Sequence, residues 1–323
     1  MPKKHLLQLF IVAVFILMGA TLVQSVHQSP RITLKEVLSI GSIEDDLLFQ
    51  WTGVTTDPEG NIYLTDLKDC SIKKFDKSGL LLKKEGKKGQ GPGEFDSPVL
   101  IKYQLDKVYV SQIYKSGILV FDKNLKYIFT IPLTFPVSDF EVRNDDEILV
   151  NMLFPQNGNN SSSILVLDAH SVIRKEIPYD KRDSKRFDMN SIKFASDQNQ
   201  NIILIYNWKD RVMKMSKTGK LLFDKKLLNI SKPLMEKTTY GEIPRDIIYK
   251  AVQVDTKGNI YILGGHRSKN VSRDIYILSK EGKLIDILTL PEASHMIYID
   301  RDDCLYSRSN EGVTLKKYKI QYE

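Results

Sequence analysis

The sequence has few cysteines and lacks the short motifs of common catalytic sites. No HExxH, GxSxG or CxxC motif occurs among the 323 residues, which removes the usual signals of zinc proteases, serine hydrolases and dithiol enzymes. The glycine-rich stretch 89–93 is not followed by the GK[ST] of a phosphate-binding loop. Lysine and arginine never form a run longer than two, so the net charge of +7 is not a nucleic-acid-binding footprint.

The two cysteines, Cys70 and Cys304, are not expected to form a disulfide. In the repeat described below, Cys304 begins the second strand of its unit, whereas Cys70 follows the end of one. The two residues should therefore lie about one strand length apart, roughly 17–20 Å, which is beyond the reach of a disulfide.

The N-terminus has the three parts of an export signal. Lys3 and Lys4 are basic, Leu9–Ala20 is apolar, and small and polar residues follow through Thr21–Ser29. We therefore expect residues 1–26 to be a signal peptide and the protein to be periplasmic or extracellular. If the leader is not cleaved, Leu6–Val26 is long enough to tether the protein as a transmembrane helix.

Sustained helical periodicity is also missing, and short apolar runs rich in β-branched and aromatic residues take its place. A second-strand pattern such as Asn61-Ile62-Tyr63-Leu64 occurs six times along the chain, at intervals of about 40–58 residues. Polar turns rich in Asp, Asn, Ser and Gly separate the runs. Six four-stranded antiparallel units of this period predict an all-β, six-bladed β-propeller over residues 32–323.

The strand count predicts how the ring closes. The last unit has only three predicted strands before the chain ends, namely Ser294–Ile299, Cys304–Arg308 and Val313–Ile320. The segment Ile32–Ile40 is a spare strand that precedes the first full unit. We expect it to pair outside Val313–Ile320 and complete blade six, because closure removes exposed sheet edges.

One unit also resembles a known repeat. Asp57-x-x-Gly60-Asn61-Ile62-Tyr63, followed by the glycine-rich exit through Pro98, is similar to an NHL-type repeat, and Asp255–Tyr261 repeats its core. The chain as a whole resembles exported bacterial six-bladed propellers related to NHL repeats. This resemblance implies a six-bladed ring but no single activity, since such rings include binding modules, lactonases and lyases.

Lactonases of this fold use a metal at the channel with an acidic residue in the opening strand of the first blade. The matching stretch here, Phe49-Gln50-Trp51-Thr52, has no carboxylate, which counts against lactonase chemistry.

Loop lengths indicate which face of the ring binds. The turns after the first and third strand of each unit are short, and the connections after the second and fourth strands carry the insertions. Alternating strand direction puts these long connections on one face, where binding usually concentrates. They are Gly86–Pro98, Phe154–Ser162, Pro178–Met189, Leu227–Asp246 (with a helical turn expected at Ser231–Tyr240) and Gly264–Arg273.

Candidate ligand-binding residues fall into two groups. Aromatic and polar residues near the channel mouth could stack on a sugar or hold a peptide. A locally basic loop could bind a carboxylate or an anionic sugar, although such loops are also common as solvated surface. The candidates at the mouth are Trp51, Asp139, Asn190, Arg245, Tyr249 and His295, and those in the basic loop are His266 and Arg267.

The sequence leaves three functions open. The first is an exported, non-enzymatic monomer that binds a protein or a small polar or saccharide ligand on the long-loop face, without nucleic acid or a cofactor. The second is a metal-dependent lactonase or lyase that uses Asp139, Asn190 and His295, with Ca²⁺ or Zn²⁺ at the channel mouth. The third is a structural scaffold of the cell envelope.

Overall fold

The short apolar runs form antiparallel β-strands. The structure is a computed structural model that describes residues 32–113, 115–143, 147–152, 161–181, 189–239, 241–309 and 311–322. Within these residues all regular elements are strands. Those of the first three blades, with the strand that precedes them, are β1 Ile32–Ile40, β2 Trp51–Thr56, β3 Ile62–Asp66, β4 Ser71–Phe75, β5 Leu81–Glu85, β6 Pro98–Gln104, β7 Lys107–Gln112, β8 Ile118–Asp122, β9 Tyr127–Ile131, β10 Val137–Val142, β11 Ile148–Met152, β12 Ser161–Leu167 and β13 Ile173–Lys181.

The second half of the chain repeats the pattern with one added hairpin. Its strands are β14 Ile192–Ser196, β15 Ile202–Tyr206, β16 Val212–Met215, β17 Leu221–Lys225, β18 Met235–Thr238, β19 Gly241–Pro244, β20 Tyr249–Val254, β21 Ile260–Gly264, β22 Asp274–Leu278, β23 Leu284–Thr289, β24 Ile297–Ile299, β25 Cys304–Arg308 and β26 Leu315–Tyr322.

Six four-stranded antiparallel sheets are the blades of the propeller. Blades one to five run in chain order from the inner to the outer strand, starting at β2, β6, β10, β14 and β20. Blade six has the order β24-β25-β26-β1, so the N-terminal strand is its outer edge. Leu34 pairs with Ile320 in this contact. The predicted six-bladed fold and its closure by residues 32–40 are confirmed.

Burial follows strand position within each blade. All five residues of β15 are buried, because its blade is covered on both faces by its neighbours. None of the five residues of the outer strand β17 is buried. The apolar clusters therefore lie between blades; in one of them Leu149 of blade three packs with Tyr206 of blade four.

The short turns are stabilised by a repeated carboxylate. Asp57 accepts the Asn61 N–H at 2.8 Å, and Gly60 completes the turn at a φ of +85°, which glycine adopts without strain. The other carboxylate oxygen accepts the Tyr63 hydroxyl at 2.9 Å. Asp255 repeats both contacts in blade five.

A lysine from the third strand often completes this network. Lys214 lies 2.9 Å from Asp197, and Lys317 lies 3.0 Å from Asp300. These lysines are held by ion pairs beneath the short turns, away from the channel mouth. Lys214 also donates to the Lys280 carbonyl oxygen of blade five at 3.0 Å, so the network joins blades and is structural in character.

The largest insertion differs from expectation. Ser231–Tyr240 was expected to contain a helical turn, but this segment contributes to a β-hairpin in which Met235 pairs with Pro244. The run Lys237-Thr238-Thr239 has β-branched residues that favour strand, and Gly241 at a φ of +111° follows it. The predicted loop Pro178–Met189 is also corrected, since β13 extends to Lys181.

The remaining sequence expectations concern cysteines and the leader. Cys70 and Cys304 are free, as predicted. The described strands belong to a compact unit, Ile32–Tyr322, and the predicted leader of residues 1–26 lies outside the described residues. In the part of the chain that the structure does describe, no helix has the length and apolarity needed to cross a bilayer.

Candidate functional site

The inner strands of all six blades converge on a central cavity of about 220 Å³. Each inner strand contributes residues to its wall, so the cavity is the channel of the propeller. Its polar and charged lining residues are Thr52, Lys102, Asp139, Lys193, Lys250, Gln253, His295 and Tyr298. Apolar side chains such as Phe194 and Ile297 fill the wall between them.

Four inner strands carry an irregularity at the same place. In β2, β6, β10 and β20 the register skips one residue, which leaves an extra residue without a partner on the second strand of the blade. A β-bulge of this kind bends the strand and redirects side chains, and bulges are frequent beside binding sites. The extra residues are Thr52, Val99, Ser138 and Lys250.

Lys250 is the bulge residue of blade five, and its side chain is only 9% exposed. Its Nζ atom donates to the Ser294 carbonyl oxygen across a long 3.5 Å. No carboxylate within the described residues forms an ion pair with it. Burial lowers the pKa of Lys250, because desolvation disfavours the charged ammonium.

Lys193 lies on the neighbouring inner strand β14 and also lacks an ion pair with any described carboxylate. Its Nζ atom donates to the Ser138 carbonyl oxygen at 2.7 Å, and its side chain is half-buried. A carbonyl oxygen satisfies one of the three donors of an ammonium but carries no net charge. Lys193 and Lys250 therefore bring two ammonium groups, neither of them ion-paired within the described residues, to a cavity that also contains Asp139.

The third channel lysine differs, because Lys102 forms a salt bridge with Glu141 of the next blade. Burial raises the pKa of Glu141, and the Lys102 ammonium offsets part of this rise. Burial would lower the pKa of Lys102, but the charges of Glu141 and Asp139 outweigh it and raise that pKa. Lys102 is thus neutralised within the protein.

Asp139 and His295 are the two predicted site residues that the structure brings to this cavity. Asp139 is 6% exposed and accepts backbone N–H groups from Phe140 at 3.1 Å and from Phe194 at 3.0 Å. The second contact joins blade three to blade four. His295 is exposed on the cavity wall beside Ser294, the residue that accepts from Lys250.

Trp51, Tyr249 and Asn190 lie apart from the cavity wall. Trp51 is fully buried among the side chains of blades one and six, and its Nε1 donates to the Thr314 carbonyl at 3.2 Å. Tyr249 is fully buried, and its hydroxyl donates to Asp210. Asn190 donates to Ser162 at 3.0 Å. These side chains are fixed within the protein framework.

The three remaining candidates gather around one segment of the long-loop face. His266 accepts the Ile247 N–H through Nδ1 at 3.1 Å, and Arg267 lies 3.1 Å from Asp246. Arg245 immediately precedes these partners and is exposed. Arg245, which the sequence places at the channel mouth, is thus adjacent to the partners of the basic loop and is not among the residues that line the cavity, and His266 and Arg267 already have partners.

Sequence reasoning missed Lys193 and Lys250. A signal was present, since each is a lone lysine within an otherwise apolar or aromatic inner-strand run, Ile192-Lys193-Phe194 and Tyr249-Lys250-Ala251. The alternation of side chains along the strand would not by itself predict that Lys250 faces the channel, because the bulge shifts its register. The bulge became visible only with the pairing of the strands.

No group of three or more His, Cys, Asp or Glu side chains in the described ranges is arranged to hold a metal ion. Within the cavity, Asp139 is the carboxylate on the wall, and two backbone N–H groups already occupy its oxygens.

Several solved structures share the architecture. A member of the DUF4221 family from Bacteroides vulgatus superposes with a TM-score of 0.62 at 12% identity, covering 92% of this chain and 100% of the other. A streptogramin B lyase superposes with a TM-score of 0.54 at 15% identity, covering 90% and 98%. The calcium-binding protein regucalcin from Agrobacterium tumefaciens gives 0.55 at 12% identity, covering 89% and 98%. At these identities the likeness shows the fold alone.

Comparison of sequences gives the family. No curated protein sequence matches the chain significantly. Residues 42–232, which span blades one to four, match the profile of a family described as 6-bladed beta-propeller. This match covers more than half of the chain and agrees with the six sheets of the structure. The chain therefore belongs to the 6-bladed β-propeller family.

Proposed function

We propose that this protein is an exported, non-catalytic propeller that binds a small polar ligand with an anionic group at the channel mouth. Acidic sugars and small carboxylates belong to this class. The observation that carries the proposal is Lys250, a buried lysine on the cavity wall that forms no ion pair with any described residue. A buried charge without a partner is costly, and a ligand carboxylate beside it would offset that cost.

The rest of the cavity supports the same ligand class. Lys193 offers a second ammonium, and Gln253 offers a neutral amide that suits sugar hydroxyls, whereas the hydroxyls of Thr52 and Tyr298 are already hydrogen-bonded to Pro98 and Thr56. Apolar side chains such as Met296 give a surface against which a sugar ring can pack. A few placed polar groups in a largely apolar wall are typical of small-molecule sites.

The long-loop face adds a favourable approach for anions. Arg245 is exposed there, beside the connection that leads into β20, and Arg267, also exposed, is paired with Asp246. Exposed positive charge such as that of Arg245 raises the local concentration of anionic ligands, and salt weakens the effect. We therefore expect the association rate to fall as ionic strength rises.

Isothermal titration tests this function with glucuronate, citrate and sulfate, and with glucose as the neutral control. We expect at least one of the anions to bind and glucose not to bind. Lys250→Met and Lys193→Met should each weaken binding about tenfold, since each removes a charge from the cavity. Lys217→Met, in an exposed turn, removes the same charge and should change nothing. Equal binding of glucose, or binding of no anion, would contradict the proposal.

A second function has one observation in its favour. Asp139 and His295 both line the cavity, as a metal-dependent lyase or lactonase that uses these residues would require. In that case the purified protein should carry stoichiometric Ca²⁺ or Zn²⁺, and Asp139→Ala should release it. Elemental analysis of both proteins separates this function from simple binding.

A further inference from the structure

The environment of Lys250 also bears on its reactivity. Four lysines are buried among the described residues, namely Lys73, Lys74, Lys214 and Lys250. Lys73 lies 2.8 Å from Asp66, Lys214 lies 2.9 Å from Asp197, and Lys74 lies 4.0 Å from Asp57. Lys250 alone of these four has no carboxylate partner in the described structure.

The charged groups on the cavity wall around Lys250 are of both signs, and none of the described carboxylates forms an ion pair with it. Lys193 projects from blade four and His295 from blade six, and both line the same cavity. Asp139 of blade three and Lys102 of blade two complete the charged groups of the wall. Lys102 is paired with Glu141, and Asp139 is bound by two backbone N–H groups.

An amine in such a place is suited to covalent chemistry. Desolvation without a carboxylate partner among the described residues favours the neutral amine, which is the nucleophilic form of lysine. The direction of the pKa shift of Lys250 agrees with this argument. Lys250 also meets the steric requirement, because its side chain borders a cavity large enough for a small molecule.

We infer that Lys250 forms a reversible imine with small carboxylate-bearing aldehydes and α-keto acids that enter the channel. The neutral Nζ adds to the carbonyl carbon, and the resulting carbinolamine loses water to give the imine, which is then protonated. Neither an oxidant nor a cofactor is needed. The ligand carboxylate lies toward Lys193, so this part of the inference rests on the proposed anion-binding function.

Reductive trapping provides the test. The purified protein is incubated at neutral pH with glyoxylate or with acetaldehyde in the presence of cyanoborohydride, and peptides are mapped by mass spectrometry. We expect Lys250 to be alkylated at least tenfold faster than the exposed Lys217. Modification that follows exposure alone, with Lys250 among the slowest lysines, would overturn the inference. This readout uses the unmodified sequence and does not depend on a variant that must fold.

Two variants sharpen the result. Lys193→Met should slow trapping by glyoxylate but not by acetaldehyde, which has no carboxylate. Lys250→Met should abolish the fast site for both reagents, and circular dichroism verifies that the variant is folded. Equal trapping of glyoxylate in Lys193→Met would contradict the assigned orientation.

The test separates this inference from the proposed function. If anions bind in the titration but Lys250 is not trapped, the covalent inference fails and the binding function stands. If acetaldehyde is trapped at Lys250 but no anion binds, the reactive amine stands and the binding function fails. Failure of both measurements removes both conclusions.

Discussion

Two regions of the propeller treat a buried lysine in opposite ways. Beneath the short turns, Lys214 is 5% exposed and lies 2.9 Å from Asp197. On the channel wall, Lys250 is 9% exposed, donates to the Ser294 carbonyl oxygen at 3.5 Å and forms no ion pair within the described residues. The first arrangement completes a structural network. The second leaves a buried ammonium without a carboxylate partner in the described part of the chain, and such groups concentrate at functional sites.

Local backbone geometry explains the difference. The short turns share one arrangement, in which an Asp at the end of the inner strand accepts a backbone N–H of the turn. A lysine of the third strand therefore has a carboxylate nearby. The bulge of β20 instead adds a residue to the inner strand and presents Lys250 to the cavity. The repeat thus supplies stability, and departures from the repeat supply the site.

The largest expected effect concerns the structural lysine. Lys214→Met leaves the buried carboxylate of Asp197 without its cation, so the free energy of unfolding should fall by about 3 kcal/mol. Urea denaturation measures the loss. A decrease of less than about 1 kcal/mol would place Lys214 with the surface pairs that contribute little.

The matched change in the channel should affect binding and spare stability. Lys250→Met preserves side-chain volume and removes a charge that has no partner, so the free energy of unfolding should stay within about 1 kcal/mol or rise. Affinity for the bound anion should fall about tenfold, which corresponds to about 1.4 kcal/mol. If Lys250→Met destabilised the protein as much as Lys214→Met, the contrast between the two regions would disappear.

A smaller effect is expected in the pH dependence of stability. Burial lowers the pKa of Lys250 in the folded protein below the 10.5 of a solvated lysine. Between those two pKa values the unfolded chain binds more protons than the folded chain, so the contribution of Lys250 to the free energy of unfolding rises with pH. Below the folded pKa, the cost of burying the ammonium remains in full.

Denaturation of the wild type and of Lys250→Met at several pH values between neutrality and 10.5 isolates this contribution. The difference between the two proteins should shift in favour of the wild type as pH rises, and contributions from other groups cancel. A difference that does not change with pH would show that Lys250 is as solvated as an exposed lysine.

The smallest expected effect separates anion binding from metal chemistry. Asp139→Asn removes a negative charge from the cavity wall, so affinity for the anion should increase about two- to fivefold. The amide oxygen of the introduced asparagine can still accept the backbone N–H of Phe194. A loss of anion binding, accompanied by loss of a bound metal, would favour the enzymatic alternative.

The fold could be predicted largely from the sequence because it depends on local, repeated signals. Asp57 and Gly60 mark a turn by chemistry that is visible in the residues themselves, and the missing fourth strand of the last blade identifies Ile32–Ile40 as its complement. The hairpin at Met235–Pro244 was missed because its pairing depends on context beyond the turn residues.

The site was less predictable because side-chain direction depends on register. Asp139 and His295 reach the cavity, as the position of their strands implied. Trp51 and Tyr249 are the first residues of their inner strands. Each directly precedes a bulge, and its side chain points into the core between blades. The extra residue of a bulge determines which of two neighbouring side chains faces the channel. The residue types do not reveal where that extra residue lies.

The titration of Lys250 itself is the most direct test of its role in anion binding. NMR of isotope-labelled lysine side chains monitors this titration with and without the anion that binds best. We expect a pKa below 10.5 for Lys250 in the free protein and a higher pKa when the anion is bound. A Lys250 pKa of 10.5 that does not respond to the anion would contradict this role.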